Sequence, residues 1–275
     1  MIEEKINEEA IDLKIRHKKE FRIIEGIKTS PLNKADKNPI VILVHGFGAN
    51  KHEYGLFDEI VQVLAKKGIL SYRFDLLEKG EKDNEYIEPP LSTQRMYLKH
   101  ILNYVKNQPE TDDSKIGILG QSLGSLVAMI TANDKIIKRE KQLKTLVLMG
   151  AASNIKGTLI DYIGNKHVKY IPNEPIIVEK SDERKIIINP NFWKDLEQYT
   201  PTNEIRKCDY CPLLLVRGAK DNIISEKDIK KLYSESLKSK GEKIRITIEN
   251  ADHGFNPNRN DLYIKLREWF KEKLV

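Results

Sequence analysis

The pattern richest in chemistry is Gly120-Gln121-Ser122-Leu123-Gly124, a serine set between two glycines. An apolar run, 115–119, leads into it and a helix-compatible segment follows, so the glycines stand where a strand must turn sharply into a helix. Such a turn lifts the hydroxyl above a sheet and points the free amides of the new helix toward it. A serine hydroxyl is a poor nucleophile until a base takes its proton, so a histidine must come from elsewhere in the fold. Six are present. His17, His100 and His167 lie in charged or helical surface text, His52 follows a lysine in a loop, and His45 belongs to a glycine motif treated below. His253 remains, in "NADHGF", where a loop leaves a strand-like run beside Gly254.

A catalytic histidine needs a carboxylate on its other ring nitrogen to fix the tautomer and to stabilise the imidazolium. Asp221 closes the run "PLLLVRGAKD" and is placed for this, whereas Asp252 is the histidine's own neighbour and ill placed to reach Nδ1. The chain order Ser122, Asp221, His253 is the order of a nucleophile-elbow triad. A tetrahedral oxyanion also needs two amide donors. Leu123, after the nucleophile, supplies one; Phe47 in "VHGFG", 44–48, supplies the other, with Gly46 and Gly48 letting that loop bend inward.

These residues must be carried by strands that end together. Runs at 39–47, 69–75, 115–122, 143–153, 212–221 and 244–253 are rich in Val, Ile and Leu and turn polar only at their ends, the pattern of strands buried on both faces of a parallel sheet. Amphipathic helical text separates them. At 54–68, Phe57, Ile60, Val61 and Leu64 share a face and Gly68 stops the helix; at 92–108 Ser92 is the expected N-cap; 225–241 and 259–274 complete the set. Alternation of this kind predicts an α/β fold with a mostly parallel central sheet and helices on both faces. Ligands bind at the carboxyl ends of such strands, where the reactive residues lie. The alternating text near the N-terminus predicts an antiparallel hairpin at the sheet edge. Residues 154–208 interrupt the alternation with two β-branched runs around a charged turn and a short helix, and read as an inserted cap between core segments 1–153 and 209–275.

The chain has 275 residues, 40% of them hydrophobic, enough for one large core. Its net charge of +6 arises from interspersed charges with no basic cluster carrying aromatics, so no nucleic-acid partner is expected. The first thirty residues hold no apolar run fit for a secretory signal and no segment is long enough to cross a bilayer, which predicts a cytoplasmic protein. Cys208 and Cys211 form a CxxC with no second ligand pair, so no metal is expected there and both read as reduced thiols before a strand. The chemistry requires no cofactor.

The motifs "LVHGFGANKHEY", "GQSLGS", "RGAKDNII" and "ADHGF" resemble, in this order, those of α/β-hydrolases, and among them the serine esterases that include feruloyl esterases and monoacylglycerol lipases. The resemblance covers 35–275 and implies the α/β-hydrolase fold, with Ser122 as nucleophile, His253 as base, Asp221 as its orienter and Phe47 and Leu123 as oxyanion donors. Two departures stand out. Many relatives carry histidine where Gln121 precedes the serine, and of the frequent D-x-x-G-H-G-x-S motif only Asp75 and one glycine remain. A serine at 122 excludes the haloalkane dehalogenases and epoxide hydrolases of this fold, whose elbow carries a carboxylate. The expected activity is hydrolysis of small to medium acyl or aryl esters, hydroxycinnamoyl esters included, with Tyr162, Ile163, Tyr170, Phe192 and Trp193 as cap aromatics and apolars. A lipase, thioesterase or peptidase uses the same triad, and a non-catalytic binding protein on this fold is the alternative from another class. A homodimer is left open.

Overall fold

The computed structural model describes residues 6–17, 20–33 and 35–275. Eight strands form the main sheet: β1 (Glu8–His17), β2 (Glu20–Thr29), β3 (Asn38–Val44), β4 (Leu70–Phe74), β7 (Thr111–Gln121), β8 (Thr145–Met149), β11 (Leu213–Gly218) and β12 (Lys243–Ile248), in the order β1-β2-β4-β3-β7-β8-β11-β12. From β4 to β12 every pairing is parallel, while β2 runs antiparallel to both β1 and β4. The N-terminal hairpin thus lies at the sheet edge, as its alternating text predicts. The order reverses around β3 and β7, which gather the ends of the motif-bearing strands at one crevice.

Helices α1 (Leu56–Ala65), α2 (Leu91–Lys106), α3 (Leu123–Ala132), α4 (Lys135–Arg139), α8 (Glu226–Ser236) and α9 (Arg259–Leu274) fill the connections. Successive residues of a strand face opposite sides, and the core divides accordingly. Val41, Leu43, Leu119, Val147 and Leu214 pack with α1 and α9, whereas Ile40, Ile42, Ile118, Leu146 and Leu215 pack with α2, α3 and α8. Both faces are therefore dry, which explains why these runs lack a polar alternation. Gly68 adopts φ +74° after α1, the left-handed stop read from the sequence. The cap of α2 differs from expectation: the helix begins at Leu91 with Pro90 at its N-cap, and Ser92 instead gives its backbone N–H to Asp195 at 2.7 Å.

The stretch 154–208 carries α5 (Ile155–Gly164), the hairpin β9 (Ile176–Glu179) and β10 (Lys185–Ile188), α6 (Pro190–Leu196) and α7 (Pro201–Lys207). Two short strands of the earlier connection, β5 (Glu78–Lys79) and β6 (Glu85–Ile87), join the hairpin in a second sheet ordered β5-β6-β10-β9. In the hairpin Ile176, Val178, Ile186 and Ile188 face inward while Ile177 is exposed. The layer over the main sheet thus draws on two separate stretches of chain. Among the described residues no helix is long and apolar enough to cross a membrane.

Candidate active site

Ser122 occupies the junction of β7 and α3 with φ +52° and ψ −119°, a conformation that costs a non-glycine residue on the order of 1 to 3 kcal/mol. Its surroundings hold it there. The Ser122 N–H donates to the Met149 carbonyl at 2.8 Å, and Ser125 Oγ donates to the Gly120 and Met149 carbonyls. The two glycines are needed for contact rather than for dihedral freedom. A Cβ on Gly120 would lie 2.4 Å from the Gly124 carbonyl oxygen, and one on Gly124 would lie 2.2 Å from that of Val44. The strand end, the helix start and the loop after β3 therefore touch backbone to backbone.

His253 follows β12, and its Nδ1 lies 2.8 Å from Asp221 Oδ2, in the loop after β11. A carboxylate only accepts, so Nδ1 carries a hydrogen, and in the neutral ring the accepting nitrogen is Nε2. The Asp221 side chain is fully buried, and its Oδ1 accepts the N–H groups of Ile223 and Ile224 at 2.9 and 2.8 Å. Gly218 permits the approach of the two loops, since a Cβ there would meet the Ala251 carbonyl oxygen at 2.3 Å. Asp252 accepts from the Asn256 N–H instead and takes no part in the pair. Ser122 and His253 line the same cavity, of about 330 Å³, together with Phe47, Tyr54, Leu159, Tyr162 and Lys180.

In the turn Gly46–Ala49, one amide is left without a partner among the described residues. The Gly46 N–H donates to Glu53 Oε2 at 2.6 Å, the Gly48 N–H to Glu88 Oε2 at 2.8 Å and the Ala49 N–H to the Gly46 carbonyl at 3.2 Å, whereas the Phe47 N–H has no partner among the described residues. Leu123 is the first residue of α3, and its N–H is one of the donors that a helix start leaves unsatisfied. His45, at the loop's start, accepts the Leu76 N–H on Nε2 at 2.9 Å, so its Nδ1 hydrogen points to the Gly46 carbonyl. Burial pushes its pKa down and keeps it neutral, a structural histidine. His52 pairs with Asp58 at 2.7 Å, away from the serine.

Five side chains at or beside the site were not singled out in the sequence as parts of it. Glu53 and Glu88 are buried beneath the loop, and desolvation pushes each carboxyl up to about 7. Lys180 reaches in from the end of β9. Gln121, noted only as a departure from relatives, donates through Nε2 to the His253 carbonyl at 2.9 Å and ties the histidine loop to the elbow. Asp75 accepts the Lys51 backbone N–H and ammonium, both at 2.6 Å, and so anchors the loop after β3 from the side. Of the five cap residues named from the sequence, only Tyr162 lines the cavity. Ile163, Phe192 and Trp193 are buried, and Tyr170 meets Trp193 edge-on at 4.8 Å between ring centres. They belong to the buried cluster that α2 and α3 form on that face of the main sheet, while α5 supplies Ile155, Thr158 and Leu159 to the cavity wall. Cys208 and Cys211 are unbridged and buried, and desolvation raises both thiols, that of Cys211 to about 12, which disfavours the thiolate.

Residues 95–258 match the family described as BAAT / acyl-CoA thioester hydrolase C terminal. A curated relative, the 2-hydroxy-6-oxo-6-(2'-aminophenyl)hexa-2,4-dienoic acid hydrolase of Metapseudomonas resinovorans, is 29% identical over 130 residues, 46% of this chain and 40% of that protein. The chain thus spans less than half the length of that relative. Among solved structures, Est1E from Butyrivibrio proteoclasticus superimposes with a TM-score of 0.72 at 18% identity, covering 95% of this chain and 98% of that one. Est1E with ferulic acid bound gives a TM-score of 0.70 at 18% identity over 91% and 95% of the two chains. These likenesses establish the α/β-hydrolase fold.

Proposed function

Since the chain belongs to the BAAT / acyl-CoA thioester hydrolase C-terminal family, we propose that it hydrolyses carboxylic esters or thioesters through an acyl-enzyme on Ser122. The observation that carries the reading is the pairing of His253 Nδ1 with buried Asp221, which makes Nε2 the accepting nitrogen of the neutral ring, on a histidine that lines the same cavity as Ser122. In this mechanism Ser122 Oγ bonds to the acyl carbon while its proton passes to His253 Nε2. The carbonyl oxygen, now negative, accepts from the Phe47 and Leu123 N–H groups. The imidazolium gives its proton to the departing alcohol or thiol, and water then repeats the sequence on the acyl-enzyme to release the acid and restore Ser122.

We read the substrate as a small to medium acyl or aryl ester, because the cavity is of modest size and walled by Phe47, Ile155, Leu159 and Tyr162. The family description favours a second reading, an acyl thioester, and the cations Lys166 and Arg259 among the cavity-lining residues suit an anionic leaving group. A series of p-nitrophenyl esters from acetate to palmitate, with a ferulate ester and acyl-CoA thioesters of matched length, tests both. Turnover falling off beyond medium chains with esters ahead of thioesters supports the first reading, and the reverse preference supports the second. A folded protein that turns over none of them refutes both and leaves a peptide substrate or the non-catalytic alternative.

A further inference from the structure

Lys180 belongs to the hairpin of the inserted layer, yet its ammonium lies in the oxyanion loop. Its Nζ donates to the Phe47 carbonyl at 3.2 Å and to Tyr162 Oη at 3.1 Å, and it sits over the rings of Tyr162, Phe47 and Tyr54 at 5.1, 5.3 and 5.8 Å. The residue is 8% exposed. Burial opposes its charge, but the surrounding phenols more than restore it, so the amine remains an ammonium.

The carbonyl that Lys180 holds and the Gly48 N–H that Glu88 holds belong to one peptide group, which is therefore fixed at both ends. The preceding peptide is fixed through the Gly46 carbonyl by the Ala49 N–H and His45 Nδ1. The Phe47 N–H lies in this preceding plane, so the holds on the Gly46 carbonyl set its direction, while the Lys180 and Glu88 holds fix the Phe47 Cα from the other side. Two of these holds come from the loop itself; Glu88, which follows β6, and Lys180, 133 positions along the chain, bring the other two from the second sheet.

We propose that Lys180 is a positioning residue through which the inserted layer sets the oxyanion donor, so that Phe47 is aligned only when the hairpin is seated. This rests on the reading of Ser122 as nucleophile and of Phe47 as its oxyanion donor. Loss of the ammonium releases the Phe47 carbonyl, and the Phe47 Cα, no longer held on that side, can shift and carry the adjoining N–H out of line. The substrate's acyl group is still bound, but the negative oxygen of the tetrahedral state loses an aligned donor.

The test compares wild type, Lys180→Met and Lys180→Arg on the preferred p-nitrophenyl ester, with folding checked by thermal melting. Two inhibitors accompany the kinetics: an alkyl trifluoromethyl ketone, which adds to the serine and carries the oxyanion, and the matching methyl ketone, which binds without adding. Lys180→Met is expected to lower kcat by roughly 10- to 100-fold, short of the 10² to 10³ for deleting a donor outright. The trifluoromethyl ketone should weaken by the same factor, while KM and methyl-ketone binding stay within about twofold. Lys180→Arg, which keeps a cationic donor, should recover most of the loss. A raised KM at unchanged kcat, or equal weakening of both ketones, overturns the proposal. If Lys180→Met does not fold, Tyr162→Phe, which removes one anchor of the ammonium, should show the same split at about two- to threefold, and wild-type behaviour there overturns it. Failure of the underlying reading is distinct: Ser122→Ala would then retain hydrolysis whatever position 180 carries.

Discussion

Replacing Asp221 by Asn separates the chemical role of the carboxylate from its structural one. Asp221 Oδ1 accepts two loop N–H groups, from Ile223 and Ile224, and Oδ2 faces His253 Nδ1. Asparagine matches the shape but has one accepting oxygen. Turning that oxygen toward the histidine would orphan two buried donors at about 1 to 3 kcal/mol each, so it stays on the loop and the NH₂ faces the ring. Nδ1 must then accept, the hydrogen moves to Nε2, and the base can no longer take the serine proton. The loss expected for such a wrong-tautomer pair is roughly 10⁴ in kcat. Because the packing and the two loop bonds survive, stability should change by less than about 1 kcal/mol. Steady-state kinetics on the preferred ester, with a urea melt of the same preparation, reads both quantities. A folded variant within tenfold of wild type would refute the assignment of Asp221 as orienter.

Gly124→Ala should lower stability by about 3 kcal/mol, because its Cβ would lie 2.2 Å from the Val44 carbonyl oxygen, while Gly164→Ala in α5, with no atom within 4 Å, should be neutral or slightly stabilising; equal urea midpoints for the pair would contradict the backbone packing at the elbow. Glu53 and Glu88 titrate near 4.5 when exposed and near 7 in the fold, so the folded state holds more protons between these values. Their contribution is complete below about pH 4.5 and is lost as pH rises to about 7, on the order of 3 kcal/mol per carboxyl. Glu88→Gln should therefore flatten the decline of Tm between pH 5 and pH 8, and an unchanged decline would show that the carboxyl is not held protonated.

The sheet was legible in the sequence because its strands are apolar on both faces and end in motifs, as Val41 to His45 and Ile116 to Ser122 illustrate. Ser122, Asp221 and His253 stood out for the same reason, each closing a strand-like run. Other features left weaker traces. β5 and β6 span two and three residues, too few for a period, and α5 carries Gly157 and β-branched residues that mask its Ile155, Leu159 and Ile163 face. The Ser92 cap failed because Pro90 and Leu91 already start the helix. Glu53, Glu88 and Lys180 read as three more charges in a chain that is 32% charged. Only the backbone of the loop after β3 gives them meaning, since they accept from Gly46 and Gly48 and donate to Phe47. Partners of main-chain groups leave no residue pattern.

Acyl-enzyme formation on Ser122 is best probed by reaction with a fluorophosphonate followed by intact-mass and peptide analysis. A nucleophilic Ser122 gives a single adduct at that residue, loss of ester hydrolysis in step with labelling, and neither adduct nor turnover in Ser122→Ala. Labelling at another residue, or hydrolysis that persists in folded Ser122→Ala, would contradict it.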